Sequence, residues 1–405
     1  MKKSFVLHPF LFALLPIIFL YSLNVGEVFA HEIIQPILLA IFITFVIWIA
    51  LSFVLKSKIK SGFITSLGLI IFFYYGHIFI QLERQLELDV NHLHYILLIT
   101  SFVLLGLGSY YIIKTKKHLD KLTMIVNVIA IAMVMVSFVN IGEFYLLENY
   151  SLNIQDESSE KIPIEKLNTE NFPDIYYIMF DGYAGSKSLQ YLMNFDNSEF
   201  IDFLTKKGFY VSPESYSNYE DTLFSIPSTL NMKYLNYLVE EVGINSTNKL
   251  ILYPILYDNE VAQYLKSKGY TIFNIESGLV FSTGFKHTDF PLCQLSNYFE
   301  SEFEMMLIRT SMINPIHVQL FSGDWRDRIL CGFNELDKVV DRNEKPKLVY
   351  ANFLMPHPPY IFNENCGVEN AKSLSLAEQK HRVGHDLYLG QLKCANNKIK
   401  PILRN

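Results

Sequence analysis

Apolar residues are concentrated in the first third of the chain, in five long runs separated by short polar loops. Each run is close to the roughly 20 residues that an α-helix needs to cross a bilayer. The pattern therefore predicts a membrane domain over residues 1–147, with transmembrane helices at 5–23, 34–55, 63–82, 95–113 and 122–141. No acidic or basic side chain lies near the middle of a run, which argues against a transporter.

The loops between these runs differ in charge. Lysines lie before the first run, after the second run and between the fourth and fifth runs, whereas the loops after the first and third runs are mainly acidic. Positively charged loops stay in the cytoplasm. We therefore expect a multi-pass protein of the cell membrane, with a cytoplasmic N-terminus and everything after Glu143 outside.

The first run also fits a second interpretation. Residues 1–30 resemble a signal peptide, with Lys2 and Lys3, an apolar run and Val28-Phe29-Ala30 at the cleavage position. The run is longer than a usual signal core, so a retained anchor is favoured. Both interpretations place the C-terminal region outside.

The chain becomes polar over residues 148–170, which indicates a linker. Beyond it, predicted strands alternate with predicted helices. The strands are expected at 174–180, 209–211, 270–275 and 347–353, and the helices at 198–207, 258–267 and 375–403. Such alternation is typical of a mostly parallel sheet flanked by helices. The expected fold is thus an α-helical membrane domain followed by an α/β domain over residues 171–405.

Charge and cysteines restrict the outer domain further. The formal net charge of −6 argues against a nucleic-acid partner. All four cysteines lie beyond the linker, which permits two disulfides with three possible pairings, among Cys293, Cys331, Cys366 and Cys394.

Three chemically suitable residues follow predicted strands or begin a predicted helix. Asp181 and Gly182 follow strand 174–180, Thr222 precedes a probable helix, and His357 follows strand 347–353. Ligands of α/β sheets bind beyond the carboxyl ends of the strands, and helix N-termini attract anions. Taken singly, each has a simpler explanation as a turn, a helix N-cap or a rigid His-Pro-Pro loop.

The order of these motifs resembles the alkaline phosphatase/sulfatase superfamily, and in particular its membrane-anchored sulfatase-like members, the relatives of phosphoethanolamine transferases and lipoteichoic acid synthases. The resemblance runs from residue 171 to the end and depends on residues 173–183, 217–219, 222–228, 230–234 and 356–360. It implies that Thr222 is the nucleophile and a metal ligand, that Asp181 is a metal ligand, and that His357 contacts the transferred group. The implied cofactor is a divalent metal (Mn, Mg, Ca or Zn), and the implied substrate is a phosphate or sulfate ester of the cell envelope.

The chain departs from that family in one respect. Members carry further metal ligands in an Asp-His-Gly motif after a late strand, and this sequence has no such motif after His357. His381 and His385 have the i, i+4 spacing of a shared metal site, although a solvated helix face is favoured. We therefore expect either a C-terminally truncated hydrolase or transferase, or a catalytically inactive binding or scaffold protein of the envelope.

Overall fold

The structure is a computed structural model that describes residues 5–85, 90–147, 172–276, 284–294, 301–358, 360–372 and 382–403. The chain divides into two compact units. The first unit comprises Met1–Ser151, Val239–Leu250 and Tyr298–Gln319, and the second comprises Leu152–Leu238, Ile251–Asn297 and Leu320–Asn405. The predicted linker over residues 148–170 lies outside the described residues.

The first unit is built on five N-terminal helices. They are α1 (His8–Leu23), α2 (Ile34–Leu55), α3 (Lys58–Gln85), α4 (Val90–Lys114) and α5 (Asp120–Leu147). The last four are long and apolar enough to cross a membrane. Large apolar side chains such as Phe42, Phe53 and Leu107 are exposed on their surfaces, which suits lipid better than water. The four long apolar helices are thus compatible with a multi-pass membrane protein.

The first predicted span is shorter than the other four. Helix α1 has 16 residues, about 24 Å of rise, because it begins only at His8. Its first N–H groups are capped from α5: the Oδ1 atom of Asn127 accepts hydrogen bonds from the N–H groups of Leu7 at 3.2 Å and His8 at 2.9 Å. The Asn127 Nδ2 atom donates to the Phe5 carbonyl at 2.7 Å. A polar side chain within α5 therefore fixes where α1 starts.

Two segments from the predicted outer domain belong to the first unit. The side chain of Phe303, at the start of α12 (Glu302–Thr310), is fully buried in a cluster with Ile17 and Tyr21 of α1. The N–H of Met312 donates to the Phe72 carbonyl at 2.9 Å. A Cβ atom on Gly76 would lie 2.3 Å from the Arg309 carbonyl oxygen, so only glycine permits this approach.

The other segment, Val239–Leu250, is joined to the loop after α1. The Gly26 carbonyl accepts hydrogen bonds from the N–H groups of Lys249 and Leu250, at 2.8 and 3.1 Å. The Lys249 ammonium also pairs with Glu27 at 3.0 Å. The helical unit thus contains more of the chain than its apolar runs.

The second unit contains a four-stranded sheet. Its strands are β1 (Ile175–Phe180), β2 (Thr271–Ile275), β3 (Phe290–Leu292) and β4 (Lys347–Phe353), in the order β1-β4-β2-β3 and all parallel. A separate antiparallel pair is formed by β5 (Tyr360–Phe362) and β6 (Val368–Lys372). The predicted parallel sheet flanked by helices is therefore present.

Helices cover both faces of this sheet. The remaining α-helices of the described residues are α6 (Ser186–Met193), α7 (Ser198–Lys206), α8 (Thr222–Leu230), α9 (Leu238–Val242), α10 (Leu252–Tyr257), α11 (Glu260–Ser267), α13 (Asn314–Val339) and α14 (Arg382–Ile402). Of these, α9 lies almost wholly in the first unit and α13 begins there. On one face, β2 and β4 pack on α13 and α14 around Phe273, Phe353, Phe333 and Ile399. On the other face, they pack on α8, α10 and α11.

Two disulfides select one of the three possible pairings. Cys293 is bonded to Cys331, and Cys366 is bonded to Cys394. Cys293, Cys366 and Cys394 all pack in the apolar cluster beneath α13 and α14. Both cross-links therefore close the same face of the sheet.

The predicted strand at 209–211 is wrong. Those residues form no strand, and Phe209 and Tyr210 are 48% and 89% exposed. These three apolar residues have no neighbouring strand among the described residues with which to form backbone hydrogen bonds, and an isolated strand is not stable. The predicted helix at 375–403 is described from Arg382 onwards, and its first part lies outside the described residues.

Candidate functional site

Asp181 lies immediately beyond the carboxyl end of β1. Its N–H donates to the Phe353 carbonyl at 2.9 Å, and its carbonyl accepts from the His357 N–H at 3.0 Å. The turn that follows requires glycine at position 182, because φ there is +76°. A Cβ atom on Gly182 would also lie 3.4 Å from the His357 backbone. The loops after β1 and β4 are thus bonded directly to each other.

Thr222 is the first residue of α8, and its side chain reaches Asp181. The Thr222 hydroxyl lies close enough to the Asp181 carboxylate to lower the pKa of that group. This contact joins a strand end to a helix start that follows it by some forty residues. The structure therefore brings together the two residues on which the predicted site depends.

The start of α8 differs from the expected anion cradle. Asp221 is the N-cap, and its carboxylate accepts from the Leu223 N–H at 2.9 Å. The N–H groups of Phe224 and Ser225 both donate to the Asp221 carbonyl, at 3.1 and 2.9 Å. The prediction that N–H groups after Thr222 are free to hold an anion is therefore wrong, because Asp221 occupies three of them.

Burial governs the charge state of Asp181. Loss of solvent raises the pKa of its carboxyl group, and this effect exceeds three opposing ones. Those are the nearby charge of His357, the Gly182 N–H and the Thr222 hydroxyl, each of which stabilises the carboxylate. A carboxylate with a raised pKa is a stronger base, and this one lies beside the Thr222 hydroxyl.

His357 lies beside this pair in the loop that follows β4. Its side chain is exposed, and its Nδ1 atom lies 2.6 Å from the Pro358 carbonyl oxygen. A ring nitrogen in that position donates its proton, which leaves Nε2 as the free nitrogen when the ring is neutral. His357 is therefore able to offer one ring nitrogen to a ligand near Asp181.

Helix α14 holds both loops in place. The Tyr388 hydroxyl donates to the Gly182 carbonyl at 2.9 Å and accepts from the Ala184 N–H at 3.0 Å. The buried Gln391 donates from Nε2 to the His357 carbonyl at 2.9 Å and accepts from the Ile361 N–H at 2.8 Å. Burial raises the pKa of Tyr388 to about 12, so this hydroxyl keeps its proton at neutral pH.

Tyr388 and Gln391 are site residues that the sequence did not indicate. Neither belongs to a motif, and both are polar residues within a predicted helix. Their only signal is that they lie three residues apart, which places them on the same face of α14.

No family model, curated protein or solved structure matches the chain. Roles for the site residues therefore rest on their geometry and chemistry.

The described residues do not form a complete metal site. Among them, no group of three His, Cys, Asp or Glu side chains is placed to share an ion. The two predicted ligands, Asp181 and Thr222, are fewer than the three or more protein ligands that a tightly held catalytic ion requires. His381 lies outside the described residues, so the pair that it forms with His385 in the sequence has no structural account.

The sheet face that carries the site contains further polar groups that the sequence analysis did not single out. On β4, Tyr350 and Asn352 are 2% and 1% exposed. The Tyr350 hydroxyl and both amide atoms of Asn352 have no hydrogen-bond partner among the described residues. Their signal in the sequence was two polar residues, two positions apart, within an apolar strand.

Proposed function

We propose that this chain is a membrane-anchored hydrolase or transferase that acts on phosphate or sulfate esters of the cell envelope, with Thr222 as its nucleophile. The observation that carries the proposal is that the Thr222 hydroxyl lies beside the half-buried Asp181 carboxylate and lowers its pKa. A threonine hydroxyl is inert unless a base or metal activates it. The Asp181 carboxylate is a base next to this hydroxyl.

The proposed reaction has two steps. In the first, the Thr222 oxygen attacks the phosphorus or sulfur atom of the ester, the Thr222 proton passes to Asp181, and the ester oxygen leaves as an alcohol with a proton from His357. In the second, water or an acceptor alcohol gives a proton to His357 and displaces the threonine oxygen, which takes back the proton held by Asp181. The raised pKa of Asp181 favours proton transfer towards it.

His357 is the proposed contact to the transferred group. Its exposed side chain lies beside Asp181, and its loop is held by Gln391. In the protonated state it would counter the negative charge of the ester or donate a proton to the leaving oxygen. A divalent cation belongs to the proposal through the resemblance, with Asp181 and Thr222 as two of its ligands, and would add charge stabilisation when bound.

The proposed location is the cell membrane, with the N-terminus in the cytoplasm and the second unit outside. The lysine-rich loops before α1, after α2 and between α4 and α5 support this orientation. Cross-linked cysteines also support it, because disulfides persist in oxidising compartments. Labelling of single cysteines placed in the loops by a membrane-impermeant maleimide would test the orientation.

The function is tested by ester hydrolysis with the purified full chain. We expect hydrolysis of bis(4-nitrophenyl) phosphate or 4-nitrophenyl sulfate in the presence of Mn²⁺, Mg²⁺, Ca²⁺ or Zn²⁺. Thr222→Ala should abolish it. Ser225→Ala removes a hydroxyl one turn further along α8 and should retain activity. Full activity of Thr222→Ala would exclude Thr222 as the nucleophile.

A second function is favoured by the incomplete metal site and by the occupied N–H groups of α8. In that case the chain is a catalytically inactive binding or scaffold protein of the envelope. It predicts no ester hydrolysis by the wild type with any of the four cations. Saturable binding of a phosphate ester that depends on His357 would then identify a binding function.

A further inference from the structure

One stretch of the first unit lies against the middle of α3. The N–H of Met312, in the turn after α12, donates to the Phe72 carbonyl at 2.9 Å. Between Lys60 and Glu83, α3 contains no aspartate, glutamate, lysine or arginine. Phe72 is separated from Lys60 by about 18 Å of helix and from Glu83 by about 17 Å. Met312 is therefore bonded to the midpoint of an uncharged stretch of about 35 Å, which is comparable with the roughly 30 Å hydrocarbon core of a bilayer.

Helix α12 leads from the end of α1 to this level. Near the start of α12, Phe303 packs on Tyr21, in the last turn of α1. Beyond its end, Met312 packs on a cluster from α3 and α4 that includes Leu97. The chain then continues along α13 and leaves the first unit after Gln319. It thus enters the helical unit, turns beside the middle of α3 and leaves again.

The turn between α12 and α13 has acceptors for its backbone N–H groups. The N–H of Ser311 donates to the Ile308 carbonyl at 2.9 Å, and that of Asn314 donates to the Ser311 carbonyl at 3.3 Å. The N–H of Ile313 donates to the Ser311 hydroxyl at 3.3 Å, and this hydroxyl donates to the Ile308 carbonyl at 2.8 Å. Lipid offers no hydrogen-bond partners, so backbone groups at membrane depth must be satisfied within the protein. Together with the bond from Met312 to α3, the N–H groups of this turn meet that requirement.

The side chains that the turn exposes are apolar. Ile313 and Ile316 are 45% and 58% exposed. The nearest charged residue before the turn is Arg309, whose carbonyl lies beside Gly76. Gly76 is about 10 Å of helix from Glu83, and a long arginine side chain can extend along apolar surface and keep its charged end near water. The exposed surface therefore suits lipid at its deepest point.

We infer that residues 302–316 enter the bilayer as a re-entrant segment, and that Ile313 and Ile316 contact the acyl chains of lipids. Lipid is the expected occupant because Met312 packs on α4, whose own apolar side chains at Ile96 and Ile99 are exposed. The inference rests on the proposed membrane location. It requires neither ester hydrolysis nor a particular orientation of the chain.

The test uses spin labels on single cysteines of the full chain in lipid nanodiscs. All four native cysteines are in disulfides, so only an introduced thiol is labelled. Electron paramagnetic resonance measures collisions of the label with oxygen, which concentrates in lipid, and with nickel ethylenediaminediacetate, which stays in water. We expect labels at Ile313→Cys and Ile316→Cys to collide with the nickel complex at least about 10-fold less often than a label at Tyr210→Cys, because a polar complex loses its hydration in hydrocarbon.

Two controls define the range of the measurement. Tyr210 is exposed in the second unit, and its label reports contact with water. Val103 is exposed near the middle of α4, and a label at Val103→Cys reports contact with lipid. Labels at Ile313→Cys and Ile316→Cys should match Val103→Cys in their collisions with oxygen. Two positions are used so that the result does not depend on the folding of one variant.

Frequent collisions with the nickel complex at Ile313→Cys and Ile316→Cys, with lipid-like values at Val103→Cys, would overturn the inference because the segment would face water. Few collisions with both reagents would also overturn it, and would indicate cover by protein such as a second copy of the chain. A water-like value at Val103→Cys would reject the membrane location and the inference with it. None of these measurements depends on Thr222, so a failure of the proposed ester chemistry is distinguishable.

Discussion

The two faces of the four-stranded sheet are both buried, but they are built differently. Strand β4 shows this most directly, since all seven of its residues are buried. Val349, Ala351 and Phe353 enter the apolar cluster beneath α13 and α14. On the opposite face, β4 presents Tyr350 and Asn352, whose polar atoms have no partner among the described residues.

The same division continues on β1. Ile178 and Phe180 pack against the cluster under α13, whereas Tyr177 and Met179 pack on the face that carries α8. One face is closed by aromatic packing and two disulfides. The other keeps unpartnered polar groups and the contact between Thr222 and Asp181. Departures from ideal packing are expected at functional sites, and in this sheet they lie on the face that carries α8.

The largest expected effect comes from breaking the apolar face. Phe353 is stacked on Phe333 with ring centroids 4.3 Å apart and on Phe180 at 5.2 Å. Phe353→Ala should lower the free energy of unfolding by about 3–5 kcal/mol. Pulse proteolysis of the full chain in urea measures this. The control Tyr210→Ala removes an exposed aromatic ring and should change stability by less than about 0.5 kcal/mol.

Removal of one disulfide should have the next largest effect on that face. Replacing Cys366 and Cys394 together by alanine should lower the free energy of unfolding by about 2–4 kcal/mol, because the unfolded chain gains freedom. A reducing agent should lower the melting temperature of the wild type further than that of the double variant. Peptide mapping without reduction that finds Cys293 joined to Cys366 would contradict the pairing described above.

Removal of a polar group from the opposite face of the sheet should increase the stability of the protein. Asn352→Leu replaces a buried amide that has no partner and should raise the free energy of unfolding by about 1 kcal/mol. The matched control is Asn396→Leu. Asn396 is also buried, but it accepts from the Tyr183 hydroxyl at 2.7 Å and donates to Asn197 at 3.1 Å, so its loss should be destabilising. Similar losses of stability in Asn352→Leu and Asn396→Leu would mean that the Asn352 amide has a hydrogen-bond partner.

The smallest expected effect is a pH dependence that arises at the site. Burial raises the pKa of Asp181 above its ordinary value of 3.8, so the folded protein holds this proton more tightly than the unfolded chain does. The contribution of Asp181 to the free energy of unfolding is therefore present at low pH and is lost as the pH rises from that ordinary value through the raised pKa. Asp181→Asn should not show this loss of stability.

The measurement for Asp181 is the melting temperature of the two proteins between pH 3 and pH 7. The difference in favour of Asp181→Asn should grow as the pH rises. Glu276 also has a pKa raised by burial, but it is present in both proteins and cancels. A constant difference across the range would show that Asp181 titrates normally.

Features that are encoded in a short stretch of the sequence were predicted correctly. Strand β4 was predicted with its observed limits because an apolar run of that length is typical of a buried parallel strand. The proximity of Asp181 and His357 followed from a general property of parallel sheets, whose carboxyl ends share one edge. That of Asp181 and Thr222 was expected only from the resemblance. The roles of Thr222 as nucleophile and of His357 as a substrate contact stay predictions.

Features that depend on a contact between residues far apart in the sequence were not predicted. Tyr388 and Asn127 make hydrogen bonds that determine loop and helix positions, yet each is an ordinary polar residue in a helix. The packing of Phe303 among the N-terminal helices has no local signature either, because a phenylalanine in an amphipathic helix fits many partners. The free N–H groups expected at α8 were already satisfied by Asp221, the residue just before it.

The cap on α1 has a consequence for how the chain is assembled during synthesis. Backbone N–H groups that lack partners are costly in lipid, by several kcal/mol each. The side chain that satisfies those of Leu7 and His8 is Asn127, about 120 residues downstream. We therefore expect the start of the first helix to take its final position only after the fifth helix has left the ribosome. The N-terminus, although it is synthesised first, would then be the last part of the helical bundle to pack.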